Sequence, residues 1–125
     1  MEIVEQAIDD AKENAKWNEI KNIEFIAGDT EKVLTDLIQN QKIYPDVVIV
    51  DPPRRGLDNI TINNILQIEP RKVIYISCNP ATLTRDLSLL EEKYNINMIQ
   101  PVDMFPWTRH VECVSVLELK ESNEK

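Results

Sequence analysis

Val4, Ala7, Ile8, Ala11 and Ala15 recur at helical spacing and predict an amphipathic helix over about 4–17. Residues 22–27, Asn-Ile-Glu-Phe-Ile-Ala, predict a short strand. Gly28-Asp29-Thr30 predicts a turn and the start of a second helix, whose apolar face carries Val33, Leu34, Leu37 and Ile38 and which Pro45 stops. Residues 46–50 then read Asp-Val-Val-Ile-Val. A β-branched run without polar alternation fits a parallel strand covered on both faces. Residues 51–57 form a loop rich in Pro, Arg and Gly, and Ile62, Ile65 and Leu66 predict a short helix ending before Pro70. The apolar run Val73-Ile74-Tyr75-Ile76 predicts another strand. Asn79-Pro80 then suits an N-cap and first helical position, followed by leucines at 83, 87 and 90. Two further strands are expected at about 96–103 and 111–119, on either side of Phe105-Pro106-Trp107-Thr108-Arg109-His110. With no helix between them, they form an antiparallel pair.

Helices alternating with strands, and an antiparallel finish, indicate an α/β fold: a Rossmann-like, doubly wound, mostly parallel sheet with an antiparallel C-terminal edge. Such folds usually open with a strand, a glycine-rich turn and a helix. This chain has two glycines, Gly28 and Gly56, and neither lies in such a turn. Met1-Glu2-Ile3 reads as the end of a second strand. The expectation is a partial domain over 1–120, truncated before its first strand and glycine-rich loop, with a frayed tail at 121–125.

Composition narrows the function. The chain has 125 residues and a formal net charge of -8. That balance argues against an autonomous nucleic-acid binder, which would need clustered Lys and Arg. It leaves room for an enzyme whose grip on nucleic acid lies in another domain. No apolar run approaches the roughly 20 residues needed to cross a bilayer, so no membrane partner is expected. Two cysteines and no signal-like N-terminus read as a reduced, cytoplasmic protein. Cys78 and Cys113 lack metal-site spacing and the single His adds little, so no metal is expected.

Three segments can carry chemistry. Cys78 leaves a strand and meets a helix N-terminus, where a thiolate is stabilised. The plainer reading of a lone cysteine is a small buried hydrophobe. Asp51-Pro52-Pro53-Arg54 ends the preceding strand, facing the ligand crevice of a parallel sheet. Its prolines hold the Asp, which could accept a hydrogen bond from a base edge or a cofactor amine, while Arg54 or Arg55 could hold a phosphate. The alternative there is a rigid loop with a solvated Asp. In His110-Val111-Glu112, strand alternation sends His110 and Glu112 to one face, where Glu112 could serve as a general base. The alternative is a polar edge strand. Cys113 faces the other way and packs. Trp107 lies where a base could stack, but packing is the favoured role for it and for Trp17.

The motifs DPPRRGL (51–57), YISCNPATLTRDL (75–87) and DMFPWTRHVECVSVLEL (103–119) resemble, in order, three motifs of the RNA 5-methyluridine methyltransferases. Residues 2–33 are similar to the part of that family just after its first cofactor motif, so the resemblance covers nearly the whole chain. It implies a class I methyltransferase fold, S-adenosylmethionine as cofactor, and RNA as partner, ribosomal ahead of transfer RNA. It implies Cys78 as nucleophile, Glu112 as base, and Asp51 near both the methionine of the cofactor and the target uracil. Glu2 would bind the cofactor ribose, Asp29 would lie near the adenine, and Arg54 and His110 would meet the substrate. An iron–sulfur cluster, present in some members, would belong to an N-terminal region outside this sequence. The isolated chain is expected to bind cofactor weakly or not at all, to be inactive alone, and to self-associate through unpaired sheet edges. Two other readings stay open: a methyltransferase acting on an amine or on cytosine carbon 5, and a non-catalytic fragment.

Overall fold

The computed structural model describes residues 1–104, 107–108 and 110–121. Phe105, Pro106 and Arg109, and the tail expected beyond Glu121, lie outside the described residues. The chain divides into two compact units, Met1–Ile43 and Tyr44–Lys125.

The first unit holds α1 (Glu5–Trp17) and α2 (Thr30–Gln39). Val4, the N-cap of α1, offers no side-chain cap, and the Glu2 carboxylate instead folds over the residues just before the helix. Its Oε1 accepts from the amides of Ile3 (2.8 Å) and Val4 (3.1 Å). Asp29 caps α2 by accepting from the amide of Glu31 at 3.0 Å. The strand expected at 22–27 does not form. Only one parallel bridge links Glu2 and Ala27, closed by Glu2 N–H to the Ile26 carbonyl and Gly28 N–H to the Glu2 carbonyl. Beyond Ala27 the ladder does not continue, because the Val4 amide, next in the parallel pattern, is turned onto the Glu2 carboxylate.

The second unit holds β1 (Val47–Val50), α3 (Asn59–Ile68), β2 (Lys72–Ser77), α4 (Pro80–Leu90), β3 (Tyr94–Val102) and β4 (Glu112–Leu119). They form a mixed sheet in the order β1-β2-β4-β3. β1 and β2 are parallel, and β4 is antiparallel to both its neighbours. The antiparallel finish is as expected. β3 bulges between Ile96 and Met98.

One face of the sheet is covered. Val73, Tyr75, Tyr94 and Leu117 pack with Ile62 and Ile65 of α3 and Leu83, Leu87 and Leu90 of α4. Val48 and Val50 join that cluster from β1. The other side of β1 departs from expectation: Val47 is 36% exposed and Ile49 is 64% exposed. The β-branched run implied cover on both faces, and the described residues bury only the side turned to α3 and α4. Trp17 is 81% exposed and Trp107 stands fully in solvent, so neither is a core residue as expected.

Ser115 lies on the covered face opposite Tyr75, wholly buried, and its hydroxyl has no hydrogen-bond partner among the described residues. A buried unpaired hydroxyl costs about 1–3 kcal/mol of desolvation. Ser115→Ala is therefore expected to raise unfolding stability by about 1 kcal/mol in chemical denaturation. A loss of stability would contradict this account of the site.

Candidate active site

Cys78 follows directly on β2 and is half-buried. Its backbone is bridged from both sides. The Ser77 hydroxyl accepts from the amide of Asn79 at 3.0 Å and donates to the Asn79 carbonyl at 2.9 Å. Asn79 caps α4, accepting from the amide of Ala81 at 3.0 Å, and Pro80 opens the helix as the sequence predicted.

Register brings the base candidate to the thiol. β2 and β4 pair Tyr75 with Ser115, Ile76 with Val114 and Ser77 with Cys113. The ladder ends at that pair, and the next residue past it is Cys78 on one side and Glu112 on the other, the latter paired with Val102. Cys113 packs against the apolar cluster, as expected, so Glu112 lies on the opposite face.

Asp51 follows β1 immediately and is exposed. The parallel register pairs Val50 with Tyr75, so Asp51 and Cys78 leave the same end of adjacent parallel strands. Alternation from Val50, which packs on the helical side, puts Asp51 on the face that Glu112 shares. The structure thus gathers Asp51, Cys78 and Glu112 at one sheet end. Arg54 NH2 lies 3.1 Å from His110 Nδ1, joining the two residues expected to meet the substrate. Arginine can only donate, so in this contact Nδ1 is the acceptor. Glu2 and Asp29 belong to the first unit, where the Glu2–Ala27 bridge places both carboxylates at the carboxyl ends of parallel segments.

Sequence reading missed how loop 51–57 is held. The Arg54 carbonyl accepts from Asn79 Nδ2 and Thr82 Oγ1, each at 2.9 Å. Arg85 NH2 donates to the carbonyls of Arg55 (2.9 Å) and Leu57 (3.1 Å). Asp86, with no exposed surface, accepts from the Leu57 amide at 2.8 Å, from the Tyr75 hydroxyl at 2.6 Å and from Arg85 Nε at 2.9 Å. Burial, and then the bond to Asp86, push the Tyr75 hydroxyl well above its ordinary range, so it stays a neutral donor. One signal for Asp86 was present: it lies on the stripe of Leu83, Leu87 and Leu90, where an acidic residue needs partners. Among the described residues no cluster could hold a metal ion, and no helix is long and apolar enough to cross a membrane.

The family model of the tRNA (uracil-5-)-methyltransferases matches residues 1–120. The chain belongs to this family. A curated relative in Bacteroides thetaiotaomicron, named an uncharacterized RNA methyltransferase, is 53% identical over 120 residues, covering 96% of this chain and 26% of its own length. Another, of the same description, in Halalkalibacterium halodurans is 52% identical over 121 residues, with 96% and 26% covered. The chain thus spans about a quarter of the length of these relatives. The crystal structure of Pyrococcus abyssi tRNA (uracil-54, C5)-methyltransferase in complex with S-adenosyl-L-homocysteine superposes with a TM-score of 0.76. It is 34% identical, and the match covers 92% of this chain and 27% of that one. The α/β fold with its mixed sheet is therefore a methyltransferase fold.

Gly56 links the loop to this family site through its backbone. Its φ is +80°, and a Cβ there would stand 2.6 Å from Asp86 Oδ2 and 2.7 Å from Arg85 NH2. Gly56→Ala is expected to cost about 1–3 kcal/mol in denaturant unfolding, from the left-handed backbone and the contact together. Unchanged stability would show that the loop is not held as described.

Proposed function

We propose that this chain is the catalytic part, over 1–120, of an enzyme that methylates carbon 5 of uridine in RNA through a covalent cysteine adduct. The observation that supports the reading is the β2–β4 register, whose last pair, Ser77 with Cys113, is followed by Cys78 on one strand and flanked by Glu112 on the other, at the sheet end where Asp51 also emerges.

Carbon 5 of uracil is a weak nucleophile. Addition of the Cys78 thiolate to carbon 6 makes an enolate, and carbon 5 then becomes reactive. Glu112 later removes the proton from carbon 5, and the carbon 6–sulfur bond breaks to release the thiolate. Asp51 orients the uracil edge, and a stacked base must swing out to reach the thiol. Arg54 and His110 offer polar contacts to the RNA beside that position, and exposed Trp107 offers a stacking face. The fit to S-adenosylmethionine rests on two carboxylates: Glu2 suits ribose hydroxyls, and Asp29 suits the adenine. When bound, this cofactor supplies the methyl group. The solved relative is named for uracil 54 of tRNA, so transfer RNA is assayed beside ribosomal RNA, the substrate first expected.

In the protein at the length of its relatives, Cys78→Ala should abolish methyl transfer to RNA. Glu112→Gln should accumulate a protein–RNA adduct that survives denaturing electrophoresis. Turnover retained by Cys78→Ala would end the covalent mechanism. Nucleoside analysis giving methylated adenine or cytosine without 5-methyluridine would favour the amine or cytosine chemistry instead.

The 125-residue chain alone is expected to bind S-adenosylmethionine weakly and to associate with itself. β1 is an end strand of its sheet, with Ile49 exposed, and such an edge invites pairing. Light scattering should show a dimer or larger species, and calorimetry no micromolar cofactor binding. A monodisperse monomer would contradict the first expectation, and micromolar affinity the second.

A further inference from the structure

The hydrogen bonds to loop 51–57 come from the helix that begins two residues after Cys78. Asn79 and Thr82 hold the Arg54 carbonyl, Arg85 holds those of Arg55 and Leu57, and Asp86 holds the Leu57 amide. These are contacts to backbone, so they fix the path of the loop and leave the Asp51 and Arg54 side chains to other partners. Asp86 is in turn anchored to β2 through the Tyr75 hydroxyl. The loop that bears Asp51 and the turn that bears Cys78 are thereby built on one set of side chains, in the first two turns of α4.

We propose that Thr82, Arg85 and Asp86 are positioning residues that hold Asp51 at a fixed separation from Cys78. Without them, the Asp51 loop keeps between its two ends the Asn79 bond to the Arg54 carbonyl and the Arg54–His110 contact, and its stretch from Arg55 to Leu57 loses its side-chain tethers. The proposal rests on the reading of Asp51 and Cys78 as parts of one site. A shift of about 1 Å in such a site can cost about a hundredfold in rate.

The separation is measurable in the chain itself. Nitroxide labels are placed at Cys78 and at Asp51→Cys in a Cys113→Ser background, and the distance distribution is read by pulsed electron paramagnetic resonance. A single narrow distribution is expected. Thr82→Val and Arg85→Ala should broaden it, and Thr82→Ser, which keeps the hydroxyl, should restore it, with the melting transition of both Thr82 variants unmoved. An unchanged distribution in Thr82→Val and Arg85→Ala overturns the proposal, as does broadening that Thr82→Ser fails to reverse. Should Arg85→Ala not fold, the Thr82 pair decides alone. In the protein at the length of its relatives, Thr82→Val should lower kcat and leave KM for RNA unchanged, and Thr82→Ser should recover kcat. A parent protein without methyl transfer would defeat the functional reading and leave the distance result standing.

Discussion

Asp86 has no exposed surface, yet its carboxylate joins three parts of the second unit: a strand through Tyr75, a loop amide at Leu57 and a helical cation at Arg85. Burying a carboxylate costs several kcal/mol, and each hydrogen bond to a charged group returns about 1.5–3 kcal/mol. Three such bonds roughly balance the cost. The net gain in stability is therefore small, and the consequence of Asp86 is geometric. Losing one partner is another matter, because an uncompensated buried charge costs about 3–5 kcal/mol.

Around that anchor, two registers assemble the site. The parallel pairing of β1 with β2 delivers Asp51 and Cys78 to the same end of the sheet. The antiparallel pairing of β2 with β4 brings Glu112, more than thirty residues later, back to the sheet end that Cys78 leaves. A slip of one residue would turn Glu112 into the apolar cluster and bring Cys113 out in its place. The apolar packing of Leu117 and Cys113 against α3 and α4 opposes that slip, so the core sets which side chain faces the other side of the sheet there.

Much of this was legible in the residues. Asn79-Pro80 announced the start of α4 because capping is local chemistry, and the Val47–Val50 run announced a strand because β-branched residues resist helix. The opposite faces of Glu112 and Cys113 followed from a period of two. What failed depended on partners that local pattern does not encode. Residues 22–27 have strand composition, but of these only Ala27 is bridged, to Glu2, and composition does not encode whether a partner strand is present. Trp17 and Trp107 were expected to pack, and they are exposed. Asp86 shares a face with three leucines, and its role appears only when Tyr75 and Leu57 come within reach.

The central claim is a bond from Cys78 sulfur to carbon 6 of uracil, released when Glu112 takes the carbon 5 proton. RNA carrying 5-fluorouridine at the target position presents fluorine where that proton would be, so release is blocked while addition is not. The protein at the length of its relatives, incubated with this RNA and S-adenosylmethionine, can be digested and its cross-linked peptide sequenced by mass spectrometry. The account predicts a stable adduct on the peptide containing Cys78. An adduct on Cys113, or bound RNA with no covalent product, would contradict it.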